Sequence, residues 1–123
     1  MGKKNDLKIP TEKSVLGLIS LCAKQGALKT GEFMADNAIK DRKAKLVIVS
    51  SDASDNTKKG FKDACTYYKV PYREFSDRFT LGRSIGKEYR VSLAVTNEGL
   101  AEKIREMIDA LSIAPDQTDA GGK

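Results

Sequence analysis

The side chains here that could carry chemistry are 22 lysines and arginines, 17 aspartates and glutamates, and two thiols, Cys22 and Cys65; histidine is absent. Without histidine there is no imidazole base, no imidazole metal ligand and no serine–histidine or cysteine–histidine pair. The cysteines do not form a Cys-x-x-Cys motif, so a zinc or dithiol redox site is not expected. Each falls in a helical apolar stripe and reads as a small buried hydrophobe. Asp41, Asp52, Asp55 and Asp63 lack the spacing of a cation-binding loop. Neither Gly-x-Gly-x-x-Gly nor Gly-x-x-x-x-Gly-Lys-Ser/Thr occurs. These absences argue against an enzyme and against any cofactor or metal. What remains is a net charge of +5, which favours a polyanionic partner through phosphate neutralisation and counterion release.

The elements that would position these groups follow from apolar spacing. Residues 1–10 read as a flexible polar leader with no apolar stretch behind its charges, which is not a secretory signal. No apolar run is long enough to span a membrane, so a cytoplasmic protein is expected. Thr11 can cap a helix carrying Val15, Leu18, Ile19 and Cys22 at i, i+3, i+4, i+7, stopped by Gly26. A short extended piece, Ala27–Thr30, precedes Gly31 and a second helix with Ala35, Ala38 and Ile39 inward. Leu46–Val49 is apolar without alternation, the pattern of a central strand covered on both faces. Phe61, Ala64, Cys65 and Tyr68 mark a third helix, and Val70–Phe75 a strand opened by proline and therefore near an edge. Asp77 can cap a short helix whose apolar residues are Phe79, Leu81 and Ile85. Val91, Leu93 and Val95 alternate with Ser92 and Ala94, which predicts a strand with one face better buried than the other. Asn97 caps a last helix with Leu100, Ile104, Met107, Ile108 and Leu111 inward. The reading is α/β: one domain over residues 11–113, a sheet between helices, and a tail at 114–123 expected to be disordered.

The run Ala44–Asp52, the Val70-Pro71-Tyr72 strand and the segment Leu81-Gly82-Arg83-Ser84-Ile85-Gly86, with Gly31 thirteen places before Ala44, carry a resemblance. In order and spacing they resemble the L7Ae/L30e ribosomal protein superfamily, the kink-turn RNA-binding type, closest to its bacterial YlxQ-type branch. The match spans roughly residues 11–111. It implies a three-layer α/β/α sandwich with a central mixed four-stranded sheet and a ribosomal-protein-like RNA-binding accessory protein of translation. Structured RNA, ribosomal RNA first, is the implied partner of a monomer. The alternative is a protein-interaction adaptor on the same scaffold, with a protein partner seated on Phe33, Met34 and Tyr89.

The resemblance also implies which residues meet RNA. Family members open the second helix with Gly-x-Asn-Glu-x-x-Lys, whose polar side chains read base edges at sheared G·A pairs. Here Gly31 is kept, but Phe33, Met34 and Asn37 stand where Asn, Glu and Lys would be. Phe33 and Met34 cannot supply those hydrogen bonds, so kink-turn recognition is expected to be weakened. The candidate contacts at this helix start are Lys29, Thr30, Gly31, Glu32, Phe33 and Asn37. Free N–H groups and the positive dipole end there favour phosphate. Phe33 stacks on an unpaired base, or folds back over a neighbouring loop. In the second family contact loop, Ser51-Asp52 keeps only the acid, read first as a helix cap. The third combines Lys87, Tyr89 and Arg90, with Arg83 leading into it, for phosphate contact and stacking, or forms an ordinary solvated turn.

Overall fold

The computed structural model describes the backbone of residues 10–122 and side chains through residue 112. In chain order the elements are α1 (Glu12–Lys24), β1 (Leu28–Thr30), α2 (Glu32–Lys40), β2 (Leu46–Val49), α3 (Asp55–Tyr68), β3 (Tyr72–Glu74), α4 (Arg78–Ser84), β4 (Ser92–Val95) and α5 (Glu98–Gly122). The four strands form one sheet in the order β1-β4-β2-β3. β4 runs antiparallel to both β1 and β2, and β3 runs parallel to β2, so the sheet is mixed. The leader over residues 1–9 lies outside the described residues. α5 continues past residue 113, but its side chains from there on, where the tail expectation falls, are also outside them.

Helix starts are fixed by short acceptor side chains. Thr11 accepts from Ser14 N–H at 3.1 Å while Ser14 Oγ accepts from Thr11 N–H at 2.8 Å, a reciprocal cap. Asp77 takes the Phe79 and Thr80 amides at 2.9 and 2.8 Å. Ser54 caps α3 through Thr57 N–H at 3.1 Å. The expectation that Asp52 caps this helix is therefore wrong. Ser54 is the residue next to the first helical turn, and Asp52 is too far upstream to reach its amides.

The strand side chains alternate between two cores. Leu46 and Ile48 of β2, with Leu93 and Val95 of β4, pack under α1, α4 and α5 against Ile19, Leu81 and Ile104. Val47, Val49 and Ala94 pack on the other face under α2 and α3, against Ile39, Phe61 and Cys65. This is a three-layer α/β/α sandwich with a four-stranded mixed sheet at its centre. β2 is buried throughout, as its lack of alternation predicts, and β3 is an edge strand, as Pro71 predicts. β4 corrects the expectation of one better-buried face: Ser92 and Ala94 are buried too. As an inner strand it is covered from both sides, and its small residues let α2, itself lined with Ala35 and Ala38, approach closely. Among the described residues no helix is long and apolar enough to cross a membrane.

Candidate nucleic-acid interface

Because β1, β2 and β3 end where antiparallel β4 begins, their following loops meet at one end of the sheet. Gly31 N–H donates to Ser92 C=O at 2.9 Å, Ser50 N–H to Val91 C=O at 2.8 Å, and Ser51 N–H to Ser76 C=O at 2.8 Å. The Arg90 guanidinium crosses this end. Its Nε donates to Thr30 Oγ1 at 3.0 Å and its Nη1 to the Tyr89 carbonyl at 2.7 Å. The loop before β4 is thus stitched to the loop that opens α2. Two of the five guanidinium N–H donors are used; the rest remain on a half-exposed group.

Gly31 has φ 95° and ψ 157°, a conformation open to glycine alone at low cost, and supplies no side-chain cap. The first amides of α2 keep their dipole end without a side-chain acceptor. Around that turn Glu32, Phe33 and Met34 are exposed and Asn37 is half-buried. Phe33 is 74% exposed, which rules out folding back over a loop. Its ring instead forms one wall of a recess of about 470 Å³ between α2 and the first turns of α3, with Asn56, Thr57 and Phe61. Lys29, exposed on edge strand β1, leads into the turn.

Asp52, which does not cap α3, is tied instead to Arg78. Its carboxylate accepts from the Arg78 amide at 3.2 Å, its backbone carbonyl accepts from Arg78 Nη2 at 2.8 Å, and Arg78 Nε lies 3.4 Å from Oδ2. It anchors the start of α4 to the loop after β2. The Ser50 hydroxyl first, then the Arg78 amide and guanidinium, hold the Asp52 carboxyl below its usual range. Ser50 Oγ is buried without a partner at full hydrogen-bond geometry, so it acts on the carboxylate at longer range. Ser51 is exposed beside it.

Arg83 at the end of α4 and Lys87 in the third loop are exposed, and Lys87 N–H donates to Gly82 C=O at 2.8 Å. Tyr89 stands half-exposed, edge-on to Phe79 with ring centroids 6.3 Å apart. The sequence pattern places Phe79 among the apolar residues of α4 and gives neither Phe79 nor Arg78 a role at the site. Phe79 sits at an apolar-looking helix position, and the ring it meets edge-on, Tyr89, is ten residues away. The Asp52–Arg78 contact spans 26 residues and has no spacing signal. Among the described residues no group of three or more Cys, Asp or Glu side chains is placed to hold a metal.

An α/β/α sandwich that gathers three loops, exposed cations and half-exposed aromatics at one sheet end defines a class of small binding domains. The chain belongs to the ribosomal protein L7Ae/L30e/S12e/Gadd45 family, whose model matches residues 13–105. It is 45% identical over 92 residues to RNA-binding protein YlxQ of Bacillus subtilis (strain 168), covering 75% of this chain and 92% of that one. It is 38% identical over 97 residues to RNA-binding protein YlxQ of Enterococcus faecium, covering 79% and 93%. Among solved structures it is similar to a Bacillus halodurans C protein of unknown function, with TM-score 0.75 and 39% identity over 77% of this chain and 96% of that one. It is also similar to the Giardia lamblia 15.5kD RNA binding protein, with TM-score 0.66 and 25% identity over 77% and 85%.

Proposed function

We propose that this chain is an RNA-binding accessory protein of translation that contacts structured RNA, ribosomal RNA first, through the start of α2 and the loop before β4. The observation that carries the reading is the Arg90–Thr30 bond at 3.0 Å. It holds those loops as one surface offering open helix amides, Arg83 and Lys87 for phosphate, and Tyr89 with Phe79 for stacking. The relatives bearing the name RNA-binding protein support RNA as the partner.

Kink-turn readout is weakened in this proposal. The exposed start of α2 presents Phe33 and Met34 at two of the family's three polar-reader positions, and of the three only Asn37 can hydrogen-bond a base edge. Phe33 substitutes stacking, worth about 1–3 kcal/mol per base, for base-edge hydrogen bonds. The test is a titration of the protein with a kink-turn RNA, the same RNA lacking its G·A pairs, and total ribosomal RNA, at low and physiological salt. The expected result is little preference between the first two RNAs and salt-sensitive binding to the third. Strong selectivity for the intact kink-turn overturns the reading of Phe33, Met34 and Asn37. Binding to none of the three overturns RNA as the partner and leaves the adaptor function, with Phe33 the first residue to substitute.

A further inference from the structure

At the opposite end of the sheet, where β2 and β3 begin and β4 ends, a recess of about 480 Å³ gathers Arg42, Lys45, Lys69 and Arg105 from three separate segments. Glu98 and Glu102 stand on its α5 side, so cations outnumber carboxylates two to one. Arg105 is 3.9 Å from Glu102 and 3.8 Å from Asp109, both loose contacts. Arg42, Lys45 and Lys69 have no ion-pair partner among the described residues.

Two of these cations hold an unusual backbone. Arg42 has φ 62° and Lys69 φ 59°. Each closes a helix in the same way: Lys43 N–H reaches Ala38 C=O at 2.9 Å around Arg42, and Val70 N–H reaches Cys65 C=O at 2.8 Å around Lys69. The left-handed residue in such a closure is usually glycine, because a Cβ there is strained. A cation at a helix C-terminus recovers part of that strain through the dipole. That accounts for each residue alone. It does not account for both side chains lining one recess with Lys45 and Arg105, or for Arg42 lying over the Tyr68 ring, 5.2 Å from its centroid.

We infer that this recess is a second phosphate-binding surface, taking the backbone of an RNA segment other than the one at the Gly31 and Lys87–Arg90 loops. The two surfaces lie at opposite ends of β2, whose four residues span about 13 Å, so the protein would join two stretches of RNA. The inference goes beyond the proposed function and rests on different residues.

Two measurements test it on the full chain. In the first, backbone amide NMR shifts are followed while a 20-nucleotide polyuridylate, and separately tripolyphosphate, is added. The expected result is movement at residues 41–45, 68–70 and 105 with the oligonucleotide, besides any at Gly31 and Lys87–Arg90. Movement confined to the latter set overturns this surface and leaves the proposed function standing. Movement confined to residues 41–45, 68–70 and 105 supports this surface, and the ribosomal RNA titration decides the proposed one separately. No movement at residues 41–45, 68–70 and 105 overturns this surface, and tighter binding of tripolyphosphate than of the oligonucleotide overturns RNA as its ligand. In the second, the salt dependence of ribosomal RNA binding is compared for the wild type, Arg42→Gly/Lys69→Gly, and the charge-matched Lys59→Gln/Lys103→Gln. Each lost phosphate contact lowers the slope of log K against log salt by about 0.7–0.9. The glycine pair is expected to lose about 1.5 of slope with its thermal midpoint unchanged or raised, because the strain is relieved. An unchanged slope, or an equal loss in the charge-matched variant, overturns the inference.

Discussion

At the scale of single residues, Gly82 is the position on which the candidate interface depends most directly. A Cβ built there lies 2.4 Å from Tyr89 Cα and 2.7 Å from Tyr89 N and C, all backbone atoms that cannot swing aside. The Gly82 carbonyl also holds the Ile85 and Lys87 amides at 3.0 and 2.8 Å, so the helix end and the loop are locked together. Gly82→Ala is expected to push the loop off α4, destabilise the fold by about 1–3 kcal/mol as overpacking does, and weaken RNA binding. Gly86 makes the contrast: its φ is +76° with nothing within 4 Å of a built Cβ. Gly86→Ala should cost about 1 kcal/mol of backbone strain and leave the loop in place. Urea midpoints and RNA titrations of the two variants check this; equal effects on binding would remove the special role of Gly82. The sequence shows both glycines at motif spacing but not this difference, because the clash partner of Gly82 is brought in by the return of the chain into β4. The place of Asp52 is hidden from the sequence for the same reason. Its partner Arg78 is fixed by tertiary approach, whereas Ser54, the residue that does cap α3, is a purely local choice.

At the scale of elements, most of the fold was legible where burial follows one period. α1 and α3 show it in their i, i+3, i+4, i+7 stripes, β2 in its unbroken apolar run, and β3 in the proline that marks it as an edge. β4 was half legible, since Ser92 and Ala94 look solvent-facing until α2 is placed over them. What the pattern could not show is how edge strand β3, only three residues long, is held to its neighbouring helix. Arg73 does this with a two-pronged bond to Asp109 of α5, Nε to Oδ1 at 2.6 Å and Nη2 to Oδ2 at 3.0 Å. The Arg73 guanidinium first, and more weakly Arg105, hold the Asp109 carboxyl below its usual 3.8. A carboxyl held lower in the folded state binds its proton more weakly there than in the unfolded chain. Its contribution to stability is therefore complete above about pH 4 and lost as pH falls through the lower folded value. Both side chains are partly exposed, so the effect is modest. Asp109→Asn is expected to lower the thermal midpoint near neutral pH and flatten its decline below about pH 4. Parallel acid declines for wild type and variant would show that the pair does not tie β3 to α5.

At the scale of the whole molecule, two cores share one sheet, and each contains one cysteine. Cys22 lies on the inner face of α1 in the layer with Ile19 and Ile104, and Cys65 on the inner face of α3 in the layer with Ile39 and Phe61. Burial raises the Cys22 thiol and pushes the Cys65 thiol up to about 12. At pH 8 both are therefore protonated as well as covered, and neither should react with an aromatic disulfide reagent in the folded protein. The two layers are not equal. The α2–α3 layer is built largely from alanines, with Ala35, Ala38, Ala44, Ala53 and Ala94, whereas the other is built from Leu46, Ile48, Leu81 and Leu93. If the layers opened independently, Cys65 would react first. β2 opposes that, because Val47 and Val49 enter one core while Leu46 and Ile48 enter the other. Stripping α2 and α3 away would leave one face of a central strand in water, at about 1.5–3 kcal/mol for each large apolar side chain. The expectation is that Cys22 and Cys65 become reactive together, with the same dependence on urea and at the global unfolding midpoint. Each thiol is followed in the single variants Cys22→Ala and Cys65→Ala, with reactivity plotted against each variant's own midpoint. Reaction of Cys65 well below that midpoint would show that the α2–α3 layer, which carries Phe33 and the opening turn of the candidate interface, separates from the sheet before the rest of the domain unfolds.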